Sequence, residues 1–313
     1  MEKKERSDSM SGKFLFPDRE KIANRNKLEY FISLLEAGAK DRFGDSAEHW
    51  DRRAERWEKE KSGGGKGEER VESAVTYLEQ KGLLQSNHAV ADIGCGPGRF
   101  AAVFAKRVDR VVGLDISEKM ILHGREYLQK EGVENAALYV RSFQTLDLEK
   151  EGWVEAFDLV FSSLTPAVSS AESLVKAMRM SRGWCCTITH LSRRNFLQEQ
   201  IMREVFGSSV SPQWDGSWFY ALFNALFLLG YDPETSYTQR HREVWVRPDE
   251  AYAEHLMEQI LPGQELTMSN AEKIRGWLLE HQNEEGVVLE VTDASYGRIL
   301  WDVRKRTARP EYG

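Results

Sequence analysis

Between residues 89 and 189 the sequence alternates five short apolar runs with segments of helical periodicity, and this alternation restricts the fold more than any other feature. The runs are Ala89–Ile93 and residues 110–114, 137–140, 157–161 and 184–189. Residues 99–107, Glu118–Lys130 and Ala171–Met180 carry the helical patterns between them. Strands separated by helices of this length pair in parallel, with helices covering both faces of the sheet.

The flanking segments read differently. Residues 19–39 place Ile22, Leu28, Phe31, Leu34 and Leu35 near helical spacing, and residues 46–60 place Trp50, Ala54 and Trp57 at i, i+4 and i+7. The run Ser62-Gly-Gly-Gly-Lys-Gly67 then interrupts the pattern and reads as a flexible joint, followed by helical periodicity over 68–83. Beyond Thr189 the alternation stops. Helical patterns cover 193–206, 217–229, 248–260 and 269–282, with one strand expected at 241–246. Two last strands are expected at 286–292 and 297–303. Asp293-Ala-Ser-Tyr296 is too short for a parallel crossover, so the pair is expected to be antiparallel. The expected organisation is therefore an N-terminal helical cap and joint (1–67), an α/β core (68–190), a mainly helical insertion (191–285) and the last two strands (286–313). The fold class is α/β: a doubly wound, mostly parallel seven-stranded sheet with an antiparallel C-terminal strand pair.

Bulk properties narrow the functional classes. Across 313 residues, 41% hydrophobic content is enough for a core, while a net charge of −7 disfavours a chain that acts mainly by neutralising nucleic-acid phosphates. The three cysteines, Cys95, Cys185 and Cys186, form no C-x-x-C pair, so neither a disulfide scaffold nor a zinc site is expected. His49, His241 and His255 lack ligand spacing, and no metal is expected. The charged N-terminus leads into no apolar stretch, and the most apolar run, residues 218–229, is shorter than the ~20 residues that cross a bilayer. A cytoplasmic protein without a membrane partner is the expectation.

The chemistry concentrates in Val90-Ala-Asp-Ile-Gly-Cys-Gly-Pro-Gly-Arg99, which joins the first strand to a helix. Glycines at 94, 96 and 98 let a ligand lie against bare backbone, and the helix starting near Arg99 aims free N–H groups at it. About 20 residues on, Asp115 ends the next strand, where a carboxylate accepts hydrogen bonds from ribose hydroxyls. A dinucleotide and S-adenosylmethionine compete for such a loop. The dinucleotide pattern G-x-G-x-x-G needs glycine where Arg99 stands. Asp92 would repel a pyrophosphate and favour the ammonium of a methionine moiety.

On these residues the sequence resembles the class I (Rossmann-like) methyltransferase family. Asp92-Ile-Gly-Cys-Gly-Pro-Gly98 is similar to its first motif, Gly113-Leu-Asp-Ile-Ser117 to its second and Phe157-Asp-Leu-Val-Phe-Ser162 to its fourth strand. The resemblance covers about 68–190 and 286–304. It implies S-adenosylmethionine as cofactor and S-adenosylhomocysteine as product. Gly94, Gly96 and Gly98 would approach the methionine part, Asp115 would hold the ribose, and Ile116 and Met120 would pack on adenine. Cys95, Phe143 and Ser162 complete the implied contacts. Many relatives place an aspartate after the third strand for the adenine amino group; here Ser142 stands there, with Gln144 as the substitute.

In an open α/β sheet the acceptor would meet the cofactor at the carboxyl ends of the strands. His190, after the fifth strand, is the candidate base, with a capping or packing role as its alternative; Thr165 is the candidate positioning group, with a turn around Pro166 as its alternative. Trp50 and Trp57 are candidate lid residues. Trp218, in an aromatic cluster with Trp214, Phe219, Tyr220 and Phe223, is a candidate pocket wall or helix core. The expected activity is methyl transfer to a small molecule, with RNA or protein methylation and a catalytically inactive cofactor-binding sensor or structural protein as alternatives.

Overall fold

A computed structural model describes residues 22–40, 47–48, 50–51, 54, 68–210, 215–261 and 268–312. The five apolar runs are strands β1 (Ala89–Ile93), β2 (Arg110–Asp115), β3 (Ala136–Val140), β4 (Phe157–Ser163) and β5 (Ser181–Asn195). All pair in parallel, β1 between β2 and β4, with Asp92 opposite Gly113 on one side and Phe161 on the other. Every residue of β1 is buried, as a strand covered on both faces requires.

With β6 (Glu234–Val246) and β7 (Val288–Asp302), the seven-stranded sheet has the order β3-β2-β1-β4-β5-β7-β6. Because the order reverses at β1 and β4, their carboxyl ends diverge and open a crevice. The Val303 N–H donates to the Gly183 carbonyl at 2.9 Å, so the end of β7 lies beside the start of β5 and the two run antiparallel. The antiparallel element is not the expected hairpin. Val288–Asp302 form one continuous strand, β7, and β6 begins at Glu234 and runs to Val246. The turn formers at 293–297 stay extended because neighbouring strands hold them: Asp293 Oδ1 lies 2.6 Å from His241 Nδ1, and the Tyr296 ring lies 4.8 Å from that of His190.

The helices are α1 (Arg25–Lys40), α2 (Glu68–Gln80), α3 (Arg99–Ala105), α4 (Glu118–Lys130), α5 (Leu148–Glu151), α6 (Ala171–Met180), α7 (Phe196–Phe206), α8 (Ser217–Leu228), α9 (Glu250–Ile260) and α10 (Met268–Glu280). None of the described helices is long and apolar enough to cross a membrane. The second N-terminal helix is described only at 47–48, 50–51 and 54, all helical; Trp57, His49, Trp214 and the 62–67 joint lie outside the described residues.

The chain divides into two compact units. The first comprises Met1–Thr189, Ser217–Ser236 and Arg298–Gly313; the second comprises His190–Gly216 and Tyr237–Gly297. The segment 191–285 is thus shared between them. In the first unit α3 packs on β4 through Phe100, Phe104 and Phe161, whose ring centroids lie 4.7 and 5.1 Å apart across the α3–β4 contact. Helix α8 belongs to this unit and meets α1 through the edge-to-face pair Phe31–Tyr220 at 5.4 Å. The second unit has a core of its own, in which Leu197 and Ile201 of α7, Leu256 and Met257 of α9 and Ile274 and Leu278 of α10 are buried together.

Candidate functional site

The site is built at the end of β1. Gly94, at φ +68°, turns the chain back so that its N–H and that of Cys95 donate to the Leu114 carbonyl at 2.8 and 3.0 Å. A Cβ at Gly94 would stand 2.1 Å from Thr165 Oγ1, so the loops after β1 and β4 touch. At Gly96 a Cβ would meet nothing within 4 Å among the described residues: the bare backbone is open, as a ligand cradle is. Gly98 does other work. Its missing Cβ leaves room for Leu138 of β3, which would be only 3.1 Å away, so the third glycine serves the packing of α3 on the sheet.

Two carboxylates flank the loop. Asp115 Oδ2 accepts from the Gly96 N–H and Oδ1 from the Ser117 N–H, both at 2.9 Å. Burial raises the Asp115 pKa, and these backbone N–H groups oppose that rise. Its remaining lone pairs are available to hydroxyl donors. Asp92 is 1% exposed, and its Oδ2 has no hydrogen-bond partner among the described residues. Burial pushes its pKa up to about 7; the Asp115 charge adds to the rise, and the Arg70 guanidinium opposes it. A buried carboxylate oxygen left unbonded is costly unless a cationic ligand group completes it.

Trp50, Asp92, Gly94, Cys95, Gly96, Asp115, Ile116, Met120, Phe143 and Thr165 line a single cavity of about 240 Å³, and Gln144 lies on the same wall. Other expected residues fall elsewhere. Gly98 caps the start of α3 and faces Leu138 and Gly124. The Ser142 hydroxyl donates to Gln144 Oε1 at 3.2 Å and stands outside the lining. Ser162 is buried in the sheet and donates to Thr187 Oγ1 at 2.9 Å; Ser163, whose side chain alternates to the other face, lines the cavity instead. Trp218 is helix core, 6% exposed, with its indole N–H donating to the Ser169 carbonyl at 3.1 Å. His190 belongs to the second unit. Trp57 is outside the described residues.

The sequence reading missed Arg70, on the first turn of α2. Its guanidinium lines the cavity, donates to Ser163 Oγ at 3.1 Å and lies 5.5 Å over the Phe100 ring. No local motif marks this arginine. Ser163 was accessible through the two-residue strand period. Leu164, next along, takes φ +53°, a strained conformation for a leucine, at the cavity edge.

The N-terminal segment reaches the same wall. Asp51 Oδ1 accepts from the Ser117 hydroxyl at 2.5 Å and from the Lys119 N–H at 3.3 Å, at the start of α4, and the adjacent Trp50 faces the cavity. Among the described residues no group of three or more His, Cys, Asp or Glu side chains is placed to hold a metal.

Residues 84–209 match the family model described as "Methyltransferase domain". An uncharacterised protein of Haemophilus influenzae is 27% identical over 39% of this chain and 44% of its own length. The 23S rRNA (uracil(1939)-C(5))-methyltransferase RlmD of Alcanivorax borkumensis is 28% identical over 30% of this chain and 21% of its own length. The chain therefore spans less than half of either relative. The crystal structure of YcgJ from Bacillus subtilis superposes with a TM-score of 0.47 and 14% identity, over 75% of this chain and 99% of that one. The stretch that builds the glycine loop and Asp115, residues 84–209, is thus similar to a methyltransferase domain.

Proposed function

We propose that the chain transfers a methyl group from S-adenosylmethionine to a small-molecule acceptor. The observation that carries the cofactor part is the Asp92 carboxylate, buried, with Oδ2 unpartnered among the described residues, beside the open backbone of Gly96 and the cation of Arg70. Two opposite charges side by side suit an amino-acid moiety: Asp92 would take the ammonium and Arg70 the carboxylate. Asp115 would hold the ribose hydroxyls. Ile116, Met120 and Phe143 would wall the adenine, with Gln144 as its amide partner.

When bound, S-adenosylmethionine supplies an electrophilic methyl group on a sulfonium and leaves as S-adenosylhomocysteine. The protein's share of the work is alignment and exclusion of water. Thr165, fixed against Gly94 and capping the following turn through the Ala167 N–H at 3.2 Å, would orient the acceptor. Trp50 would close the cavity from the N-terminal side as a lid.

A cavity of about 240 Å³ walled by Trp50 and a net charge of −7 support a small acceptor. The second reading is methylation of RNA, favoured by relatives named RNA methyltransferases. The test is calorimetric titration of S-adenosylhomocysteine, followed by transfer of labelled methyl groups to a metabolite extract and to total RNA. No binding of S-adenosylhomocysteine rejects the cofactor assignment. Label in RNA, with binding that falls steeply as salt rises, rejects the small acceptor.

A further inference from the structure

Arg298 of β7 is a buried cation, 7% exposed, that makes no ion pair among the described residues. Its Nη1 donates to Ser236 Oγ at 3.1 Å and its Nη2 to Ser73 Oγ at 3.4 Å. Its guanidinium lies over the Tyr77 ring at 4.3 Å, and its Nε has no hydrogen-bond partner among the described residues. Burying a cation on hydroxyls and a ring face is costly, and a hydrophobic side chain would fill the same space at less cost. What the planar fork adds is geometry: it grips Ser73 and Tyr77 together, which a lysine cannot reproduce.

Both gripped residues belong to α2, and so does Arg70. Positions 70, 73 and 77 follow i, i+3 and i+7, which places them on one face of the helix, and the seven residues from Arg70 to Tyr77 span roughly 10 Å. The C-terminal half of that face is clamped by Arg298, while its N-terminal end delivers Arg70 to the cavity. There it bonds Ser163 and acts electrostatically on Asp92. A rotation or slide of α2 would carry Arg70 away from Asp92.

We propose that Arg298 is a positioning residue for the cofactor's amino-acid end: by clamping α2 through Ser73 and Tyr77 it fixes Arg70 beside Asp92. This rests on the cofactor reading above. Arg298 itself is not among the residues that line the cavity.

The experiment is a double-mutant cycle on the full-length chain, with S-adenosylhomocysteine affinity measured by calorimetry below the melting temperature of every variant. Arg70→Met and Arg298→Met should each weaken binding roughly tenfold, and the double variant should bind no more weakly than Arg70→Met alone. Arg298→Lys should not restore affinity. A second readout separates positioning from mere stabilisation. The groups acting on Asp92 are Asp115 of β2 and Arg70 of α2. Withdrawing Arg70 raises the pH below which binding fails, so Arg298→Met should raise it as Arg70→Met does. Should Arg298→Met fail to fold, Ser73→Ala with Tyr77→Leu, which leaves the cation in place, runs the same cycle. Losses that multiply to roughly a hundredfold in the double variant overturn the proposal, as does unchanged affinity in Arg298→Met or an unmoved pH profile. Absence of binding to the wild-type chain overturns the cofactor reading, and this proposal with it; wild-type binding with independent losses overturns the proposal alone.

Discussion

The α-carbon of Gly94 and the hydroxyl of Thr165 are so close that a Cβ on the glycine would stand 2.1 Å from Oγ1 and 2.5 Å from the threonine Cβ. The loops after β1 and β4, which together form the mouth of the crevice, are therefore locked by the absence of a side chain. This contact fixes where Thr165 stands relative to the cofactor cradle.

Gly94→Ala should consequently cost more than Gly96→Ala. Both carry positive φ, +68° and +51°, and an alanine there costs about 1–2 kcal/mol. Only at Gly94 does overpacking add about 1–3 kcal/mol. Thermal melts should place the Gly94 variant well below the Gly96 variant, and Thr165→Gly should recover part of the Gly94→Ala loss. Equal melting temperatures for the two glycine variants would contradict the locked-loop picture.

Asp92 sets the pH behaviour. Its folded pKa of about 7 lies above the ordinary 3.8, so between those values the folded chain keeps a proton that the unfolded chain releases. Its contribution to stability is then greatest below pH ~4 and is lost as pH rises through about 7, a change on the order of a few kcal/mol. Asp92→Asn should flatten that slope in denaturant titrations without ligand. Ligand binding has the opposite sign, because an ammonium needs the ionised carboxylate. Affinity for S-adenosylhomocysteine should fall by up to tenfold per unit below pH 7 in the wild type and be nearly flat, and weak, in Asp92→Asn.

Ser162 and Ser163 separate sheet stability from ligand contact. Ser162→Ala breaks the buried bond to Thr187 and should cost about 1–2 kcal/mol while leaving ligand affinity unchanged. Ser163→Ala removes the partner of Arg70 and should weaken ligand binding with little change in melting temperature. The reverse pattern in paired melts and titrations would mean that the two faces of β4 have been assigned the wrong way round.

What could be read from the sequence was local. The glycines, Asp92 and Asp115 sit within one strand-loop-helix-strand stretch, and its spacing alone brings Asp115 back onto the Gly96 N–H. The antiparallel strand pair was misplaced because Asp293 and Ser295 look like turn formers. Both instead lie within the continuous strand β7, where Asp293 meets His241, 52 positions away in sequence, a pairing no local pattern reveals. Arg70 was missed for the same reason: one arginine on an amphipathic helix looks like solvent-facing charge until the helix is set against β4. Of the two readings of Trp218, pocket wall or helix core, the second fits: its indole N–H meets the Ser169 carbonyl within the core.

The N-terminal segment gives the last prediction. Asp51 would act as a latch: it accepts from the Ser117 hydroxyl and the Lys119 N–H at the positive end of the α4 dipole, and the residue before it, Trp50, lines the cavity with Ile116 and Met120. If Trp50 is a lid, the latch should govern ligand retention without touching the ligand. Asp51→Ala should then raise the dissociation rate of S-adenosylhomocysteine severalfold and leave the association rate nearly unchanged, and Trp50→Ala should do so more strongly. Stopped-flow tryptophan fluorescence reads both rates, and Trp50→Phe should lose most of the signal. Removal of residues 1–60 should be at least as damaging as Trp50→Ala, because it deletes latch and lid together. A truncated chain with unchanged affinity and turnover would reduce this segment to a structural attachment.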